Sequence, residues 1–419
     1  MSALADRQGY SEGRRRGGLR ISYAGLKRGT LWLLTACSGI ALIEPSPYEF
    51  VFLITLFVFA LTGIRFSQKL VPMALLLLLY NIGGVISLIP WMDEPASVRF
   101  TAVSVYLMLT AIFFAAIMAE DTLARLDTLR KGYLFAAWCA GFAGIFGYFD
   151  VAGLASIFTL SGRASGTFKD PNVLGPFLVL PLIYLLHAVL IGRIGLVKGF
   201  LLMSIPLLAV FLSFSRGAWG NLVAAMLMMV GLTFLTSTRA SQRARIVFLT
   251  LTMLVLVVVA MLIALSFENI RSVFEIRASL DQDYDQGVTG RFGNQLRSIP
   301  MLLDLPNGFG PLRFRFTFPE DPHNVYVNAF ASYGWFGGLF YLALTAATCI
   351  AGWRVVFRRT PWQGHAIVIW SVLFVTILQG LQIDTDHWRH FYLMLGLIWG
   401  LAALPAPGPN DQRSLRTTT

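Results

Sequence analysis

Apolar runs long enough to cross a lipid bilayer recur about twelve times along the chain, near residues 30–46, 48–64, 70–90, 98–119, 133–150, 172–191, 196–214, 217–236, 245–266, 323–352, 364–383 and 388–404. A helical span of the hydrocarbon core needs about 17–25 such residues. Only helices with internally satisfied backbones, or closed barrels, are tolerated there. The sequence therefore predicts an all-α polytopic membrane protein of about twelve transmembrane helices. With 56% hydrophobic and 13% charged residues over 419 positions, the composition excludes a soluble globular domain.

The net charge of +11 could be read as a nucleic-acid signal, but its distribution argues for topology instead. With the N-terminus inside and loops counted alternately, one side holds 22 Lys+Arg and 6 Asp+Glu. The other holds 11 and 16, which together recover the chain totals of 33 and 22. The basic side is the cytoplasmic one by the positive-inside rule. Basic excess of this kind serves orientation and contact with membrane lipids, and no nucleic acid is needed to explain it. Both termini are then cytoplasmic. The divisions are a basic N-terminal segment (1–29), helices one to nine (30–266), a periplasmic loop (267–322), helices ten to twelve (323–404) and a cytoplasmic tail (405–419).

Cys37, Cys139 and Cys349 fall singly in apolar runs and read as small buried residues rather than a disulfide or zinc framework. The polar, Arg-rich N-terminus lacks the apolar core of a cleavable signal, so the first span is expected to be retained.

Chemistry-bearing residues gather on the outer face. After span five, residues 161–172 read SGRASGTFKDPN. Asp170-Pro171 predicts a helix N-terminus with proline in its first turn, and Arg163 and Lys169 lie beside it. Such a place favours anions, although a capped turn with solvated charges accounts for the same residues. Span seven ends in SFSRGAWGN (residues 213–221), which puts Arg216 at the outer surface, either snorkelling to the interface or facing a polar cavity. The loop 267–322 is too long for a connector and reads as two amphipathic helices and a PNGFGP turn (306–311). In the second helix, opened by Thr289-Gly290, Phe292, Leu296, Ile299 and Leu303 share one face, and Arg291, Asn294 and Gln295 another. His323-Asn324 then stands where the polar loop gives way to an apolar helix. The segment Asp384-Thr-Asp386-His387-Trp-Arg389-His390 could be taken for a metal site, but no second ligand cluster supports one. His187 and His365 read as structural. No GxxxxGK[ST] loop and no HExxH is present, and neither a cofactor nor a metal is expected.

Arginine stays charged and forks onto phosphate oxygens, whereas histidine titrates near neutrality and can accept a proton from a hydroxyl. Arg163, Arg216, Arg291 and His323 come from four parts of the chain and share one side of the membrane, an arrangement suited to an anionic lipid-linked ligand. A transporter of lipid-linked sugars would also want arginines, but nearer the bilayer midplane.

The spacing His323-Asn324, nine residues, Gly334, two residues, Gly337 resembles the signature of the O-antigen ligase and polysaccharide polymerase superfamily of bacterial membrane glycosyltransferases. Ser215-Arg216-Gly217 is similar to the family's arginine at the start of a core span, and Gly290-Arg291 followed by Gly308-Phe-Gly310-Pro to its periplasmic-loop segment. The resemblance covers roughly residues 150–350. It implies a helical fold related to the GT-C glycosyltransferases and metal-independent, inverting transfer of a glycan from undecaprenyl diphosphate, on the periplasmic face of the inner membrane. The acceptor would be lipid A-core for a ligase or a growing glycan for a polymerase. It also implies His323 as general base, Arg216 and Arg291 as diphosphate-binding residues, and Arg163, Lys169 and Asn324 as further substrate-binding candidates.

Overall fold

The computed structural model describes residues 22–278, 287–288, 290–318 and 320–405. The N-terminal segment through residue 21, Asp283, Thr289 and the tail after residue 405 lie outside the described residues. The described residues form fifteen α-helices: α1 (Tyr23–Cys37), α2 (Pro47–Thr62), α3 (Val71–Leu88), α4 (Pro95–Ala116), α5 (Thr122–Tyr148), α6 (Ala155–Phe158), α7 (Pro171–Leu190), α8 (Leu196–Leu212), α9 (Arg216–Thr236), α10 (Ala240–Ala264), α11 (Glu268–Ala278), α12 (Arg291–Leu303), α13 (Val325–Val356), α14 (Gln363–Gln379) and α15 (Arg389–Ala403). Among the described residues the only strands are the two-residue pair Thr159–Leu160 and Arg163–Ala164.

Each of the twelve apolar runs coincides with one helix, but the helices are not equivalent. Among the described residues six stretches are long and apolar enough to cross a membrane: Gln68–Trp91, Pro95–Ala119, Pro171–Leu190, Arg216–Thr236, Ala240–Ala264 and Val325–Val356. Pro47–Thr62, Leu196–Leu212 and Gln363–Gln379 are apolar but shorter. The 15 residues of α1 or α15 reach only about 22 Å at 1.5 Å per residue, against a hydrocarbon core of about 30 Å. In α5 the first turns carry Arg125, Asp127, Arg130 and Lys131. Length and charge thus separate six plain spans from the twelve expected.

Helices α7, α14 and α15 form the centre, with α7 packed on α8, α9 and α14, and α15 on α4, α13 and α14. Their buried sides are continuous with one large apolar core. By contrast, only 17% of the most apolar window of α10 is buried inside the protein. That helix turns Phe248, Leu251, Val255 and Leu262 outward, as a lipid-facing helix does. Cys139 is exposed on its helix, contrary to the burial expected for it, while Cys37 and Cys349 are partly buried; all three are free thiols.

The longest helix, α13, is broken. At Gly334 the backbone takes φ 66° and ψ −174°, a region open essentially only to glycine. An outer half-helix (325–333) is thereby set off from the long inner part. Into the break docks the turn predicted at 306–311. Trp335 donates its backbone N–H to the Pro306 carbonyl (2.8 Å), and Phe309 and Gly310 donate to the Ala331 carbonyl (2.8 and 3.1 Å). Trp335 Nε1 donates to the Leu302 carbonyl at 2.7 Å. One turn inward, Gly337 lies against the Tyr80 carbonyl and Gly83 of α3, so a side chain there would force the two helices apart. The second glycine of the motif is a close-approach residue. An uninterrupted helix over 323–352, as the apolar run suggests, is therefore corrected to two helical pieces sharing a glycine joint.

Candidate functional site

His323 precedes the outer half-helix, and its own backbone is left-handed (φ 45°), a conformation uncommon outside glycine. Such strain persists only where the surroundings hold it. The holding group is Asp384, in the connection between α14 and α15. Its carboxylate accepts from the Asn324 N–H at 3.1 Å and from the His323 N–H. Asn324 is the helix cap: its Oδ1 accepts from the N–H groups of Tyr326 (3.0 Å) and Val327 (3.2 Å). The His323 ring stays accessible, with 39% of its side chain exposed, and its Nε2 lies 3.7 Å from the Glu320 carboxylate. A base that must meet a substrate hydroxyl needs this kind of open, anchored position.

Helix α12 is inside-out. Its buried residues are Asn294, Gln295, Ser298 and Leu302, while Leu296 is 72% exposed and Phe292, Ile299 and Leu303 also face outward. The polar face is spent on the site: Gln295 Nε2 donates to the Pro322 carbonyl at 2.7 Å, one residue before His323, and Gln295 Oε1 lies 3.5 Å from Asn324 Nδ2. An amphipathic helix with its apolar side away from the protein is suited to the headgroup boundary of a bilayer. Arg291 stands at the N-terminus of α12 and donates from Nη1 to the Gln382 carbonyl at 3.2 Å.

The same connection reaches the second arginine. Gln382 donates its N–H to the Gln379 carbonyl at 2.8 Å. The Gln379 side chain accepts from Asn221 Nδ2 at 2.5 Å and lies against Gly217, next to Arg216. Arg216 opens α9, whose cap Ser215 accepts from the Ala218 N–H at 3.3 Å. Residues 379–384 are thus the common platform for Arg216, Arg291 and His323.

Of the remaining candidates, Arg163 donates to the Ser213 carbonyl and to Asn172 Oδ1, both at 2.8 Å. It ties the strand pair to the end of α8, three residues from Arg216, and to the start of α7. Asp170 caps α7 as predicted, accepting from the Asn172 N–H at 2.8 Å. Lys169 pairs with Glu44 at 2.8 Å, both half-exposed, and lines a cavity together with Asp321, Asp384 and Asp386.

Residues 384–390, treated from sequence only as a candidate metal segment, are structural to the site. Among the described residues no group of three or more His, Cys, Asp or Glu is placed to hold an ion. Asp386 is almost fully buried and accepts from Asn328 Nδ2 at 3.3 Å. His387 stacks on Phe100 with ring centroids 3.9 Å apart, its Nε2 donating to the Phe100 carbonyl at 3.1 Å and its Nδ1 3.1 Å from Asp386. Burial would lower the His387 pKa, but Asp386 outweighs it and holds the imidazole above its ordinary value. Burial, reinforced by the nearby Asp386 and Asp321 carboxylates, pushes Asp384 well above the usual carboxylate range, against the pull of its two backbone N–H donors. The sequence signal that could have found this segment was its density of ionisable groups between two apolar runs. His365 and His187 are buried within the bundle, His365 Nδ1 lying 3.3 Å from the Tyr184 hydroxyl.

A histidine in left-handed backbone, two arginines tied to the α14–α15 connection and an amphipathic helix with its apolar side outward are thus carried on an all-helical scaffold with spans of membrane-crossing length. Residues 199–342 match the family model described as O-Antigen ligase, so this segment is similar to the O-antigen ligase and polymerase superfamily. The match takes in Arg216, Arg291, His323 and both motif glycines; Arg163, Lys169 and the α14–α15 connection lie outside it. Among curated proteins none matches the chain.

Proposed function

We propose that the protein is a metal-independent, inverting glycosyltransferase that moves a glycan from undecaprenyl diphosphate to a hydroxyl of lipid A-core on the periplasmic face of the inner membrane. The observation that carries this reading is the convergence of Arg216, Arg291 and His323 on residues 379–384. The acceptor oxygen attacks the anomeric carbon, its proton passes to His323, and the bond to the diphosphate breaks with its electron pair leaving on undecaprenyl diphosphate. Arg216 and Arg291 hold that diphosphate; Arg163 supports Arg216 through Ser213, and Asn324 keeps the helix end in register. A single displacement inverts the anomeric centre. On this reading all twelve helical runs cross or enter the membrane in a GT-C-related arrangement, the shorter ones where the protein itself covers their ends.

The test is purified full-length protein with a defined undecaprenyl diphosphate-linked glycan and lipid A-core, assayed with EDTA present. Inverted product supports the proposal, and a strict metal requirement overturns its metal-free step. Polymerisation shares the family match, and a deletion strain separates the two: polymer stranded on its carrier marks a ligase, single repeat units a polymerase.

Two further outcomes follow. Lysine keeps charge but loses the forked geometry, so Arg291→Lys is expected to cut transfer by about tenfold or more, the equivalent of about 1.4 kcal/mol, without loss of folded protein. Unchanged transfer would remove bidentate phosphate recognition from the account. Reporter fusions at Asp283 and at the C-terminus should be active as periplasmic and cytoplasmic respectively; a cytoplasmic signal at Asp283 would put the arginines on the wrong face.

A further inference from the structure

A cavity of about 340 Å³ opens beside the platform, at the small end of the roughly 300–1,000 Å³ range in which pockets bury small ligands. The walls come from six segments: the α1–α2 connection, the start of α4, the entry to α7, the long loop before α13, the start of α13 and the α14–α15 connection. Asp321, Asp384 and Asp386 line it with Glu44, Asp170 and the cation Lys169, together with the rings of Phe100, Phe168 and Trp388. The arginines and His323 are not among its lining residues, but Asp321 and Pro322 are, so its wall ends immediately before His323.

We propose that this cavity binds an uncharged, hydroxyl-rich sugar ring of the acceptor and delivers its nucleophilic hydroxyl to His323. The assignment rests on the glycosyl-transfer reading above. Three observations carry it. Carboxylates accept hydrogen bonds from hydroxyls, and aromatic rings supply broad apolar surface with defined geometry, the two needs of a sugar ring. Even with Asp384 pushed toward its neutral form, Glu44, Asp170, Asp321 and Asp386 outnumber Lys169 and His387 around the cavity, a balance that disfavours a diphosphate; the lipid-linked anion is left to the arginine side. Finally, the α14–α15 connection separates the two regions. The Gln379 side chain packs on Gly217 and the Gln382 carbonyl accepts from Arg291, Asp384 holds the backbone at His323, and Asp384, Asp386, His387 and Trp388 border the cavity. A base between an anion site and a sugar site is where an acceptor hydroxyl and a donor anomeric carbon would meet.

Ala41 lines the cavity and contributes its backbone N–H to the Thr167 carbonyl at 2.9 Å, so a larger side chain there fills space without removing a hydrogen bond. The series Ala41→Ser, Ala41→Leu and Ala41→Phe is measured with lipid A-core varied at saturating donor and with donor varied at saturating lipid A-core. The expected result is an acceptor KM rising with side-chain size, by at least about tenfold for Ala41→Phe, at constant donor KM. Thermal unfolding of the same proteins with free core oligosaccharide provides a second reading: wild type is stabilised and Ala41→Phe is not. A rise in donor KM alone would give the cavity to the donor glycan and overturn the acceptor assignment. Unchanged kinetics and unchanged stabilisation in a folded Ala41→Phe protein would overturn the sugar site altogether. Absence of transfer by wild type would count against the glycosyltransferase reading instead, and the thermal shift would still decide whether the cavity takes the sugar.

Discussion

His323→Asn is expected to yield folded protein that binds the lipid-linked donor and shows no detectable transfer. Asparagine is chosen because the position is left-handed (φ 45°), and asparagine tolerates that conformation best among non-glycine residues. The backbone then keeps its hydrogen bond to Asp384 while the imidazole is lost. General-base catalysis contributes about 10²- to 10⁴-fold, and the proposed reading leaves donor affinity to Arg216 and Arg291, so kcat should fall by that range at nearly constant donor KM. His323→Ala should do the same with some added loss of local order. Donor binding and product formation are measured on the same preparation. Transfer by His323→Asn at wild-type rate would reject the proton-acceptor role and leave the histidine as a helix-entry residue only.

Gly334→Val should be as damaging by another route. A Cβ at this position would stand 2.6 Å from the Pro306 carbonyl oxygen and 2.9 Å from the Asn307 Cα, backbone atoms that cannot swing aside. The φ/ψ pair itself costs a non-glycine residue on the order of 1–3 kcal/mol. Either the turn 306–311 leaves the break or α13 straightens, and in both cases the outer half-helix carrying Asn324 and its neighbour His323 is displaced. Loss of transfer together with new protease cleavage around 304–312 is the expected outcome, read on membranes by product assay and limited proteolysis. A Gly334→Val protein with native activity and a protected loop would show that the joint is dispensable.

The sequence carried the helical character, the apolar runs and the amphipathic α12, because these rest on periodicity and length. It also pointed to His323 and Arg291, each of which lies beside the α14–α15 connection, through Asp384 and Gln382, and to Arg216, whose neighbour Gly217 packs on Gln379 at the end of α14. What it concealed has a common cause: contacts whose meaning depends on a distant partner. The face pattern of α12 is plain in Phe292, Leu296, Ile299 and Leu303, yet nothing in it says that the polar side would be the buried one. Gly334 reads as one glycine among many until Pro306 and Asn307 are placed against it. Asp384 and Asp386 look like an ordinary short polar loop, since their partners Asn324 and Asn328 are about sixty residues earlier. Lys169 and Arg163 share a short stretch but separate in space, one toward Glu44 and the other toward Ser213.

The clamp on His323 comes from the last connection before the final helix, and that has a bearing on how the protein is made. Residues 199–342, which include the arginines, the histidine and the glycine joint, leave the ribosome before Asp384 does. During synthesis, at about 5–20 residues per second, the nascent protein therefore passes through a period in which His323 has been made but the Asp384 carboxylate beside it has not. On the proposed reading, a chain that stalls or is cut before α14 and α15 are made would keep the segment that matches the family model and be inert. Catalytic competence would then be conferred last, by the step that completes the chain.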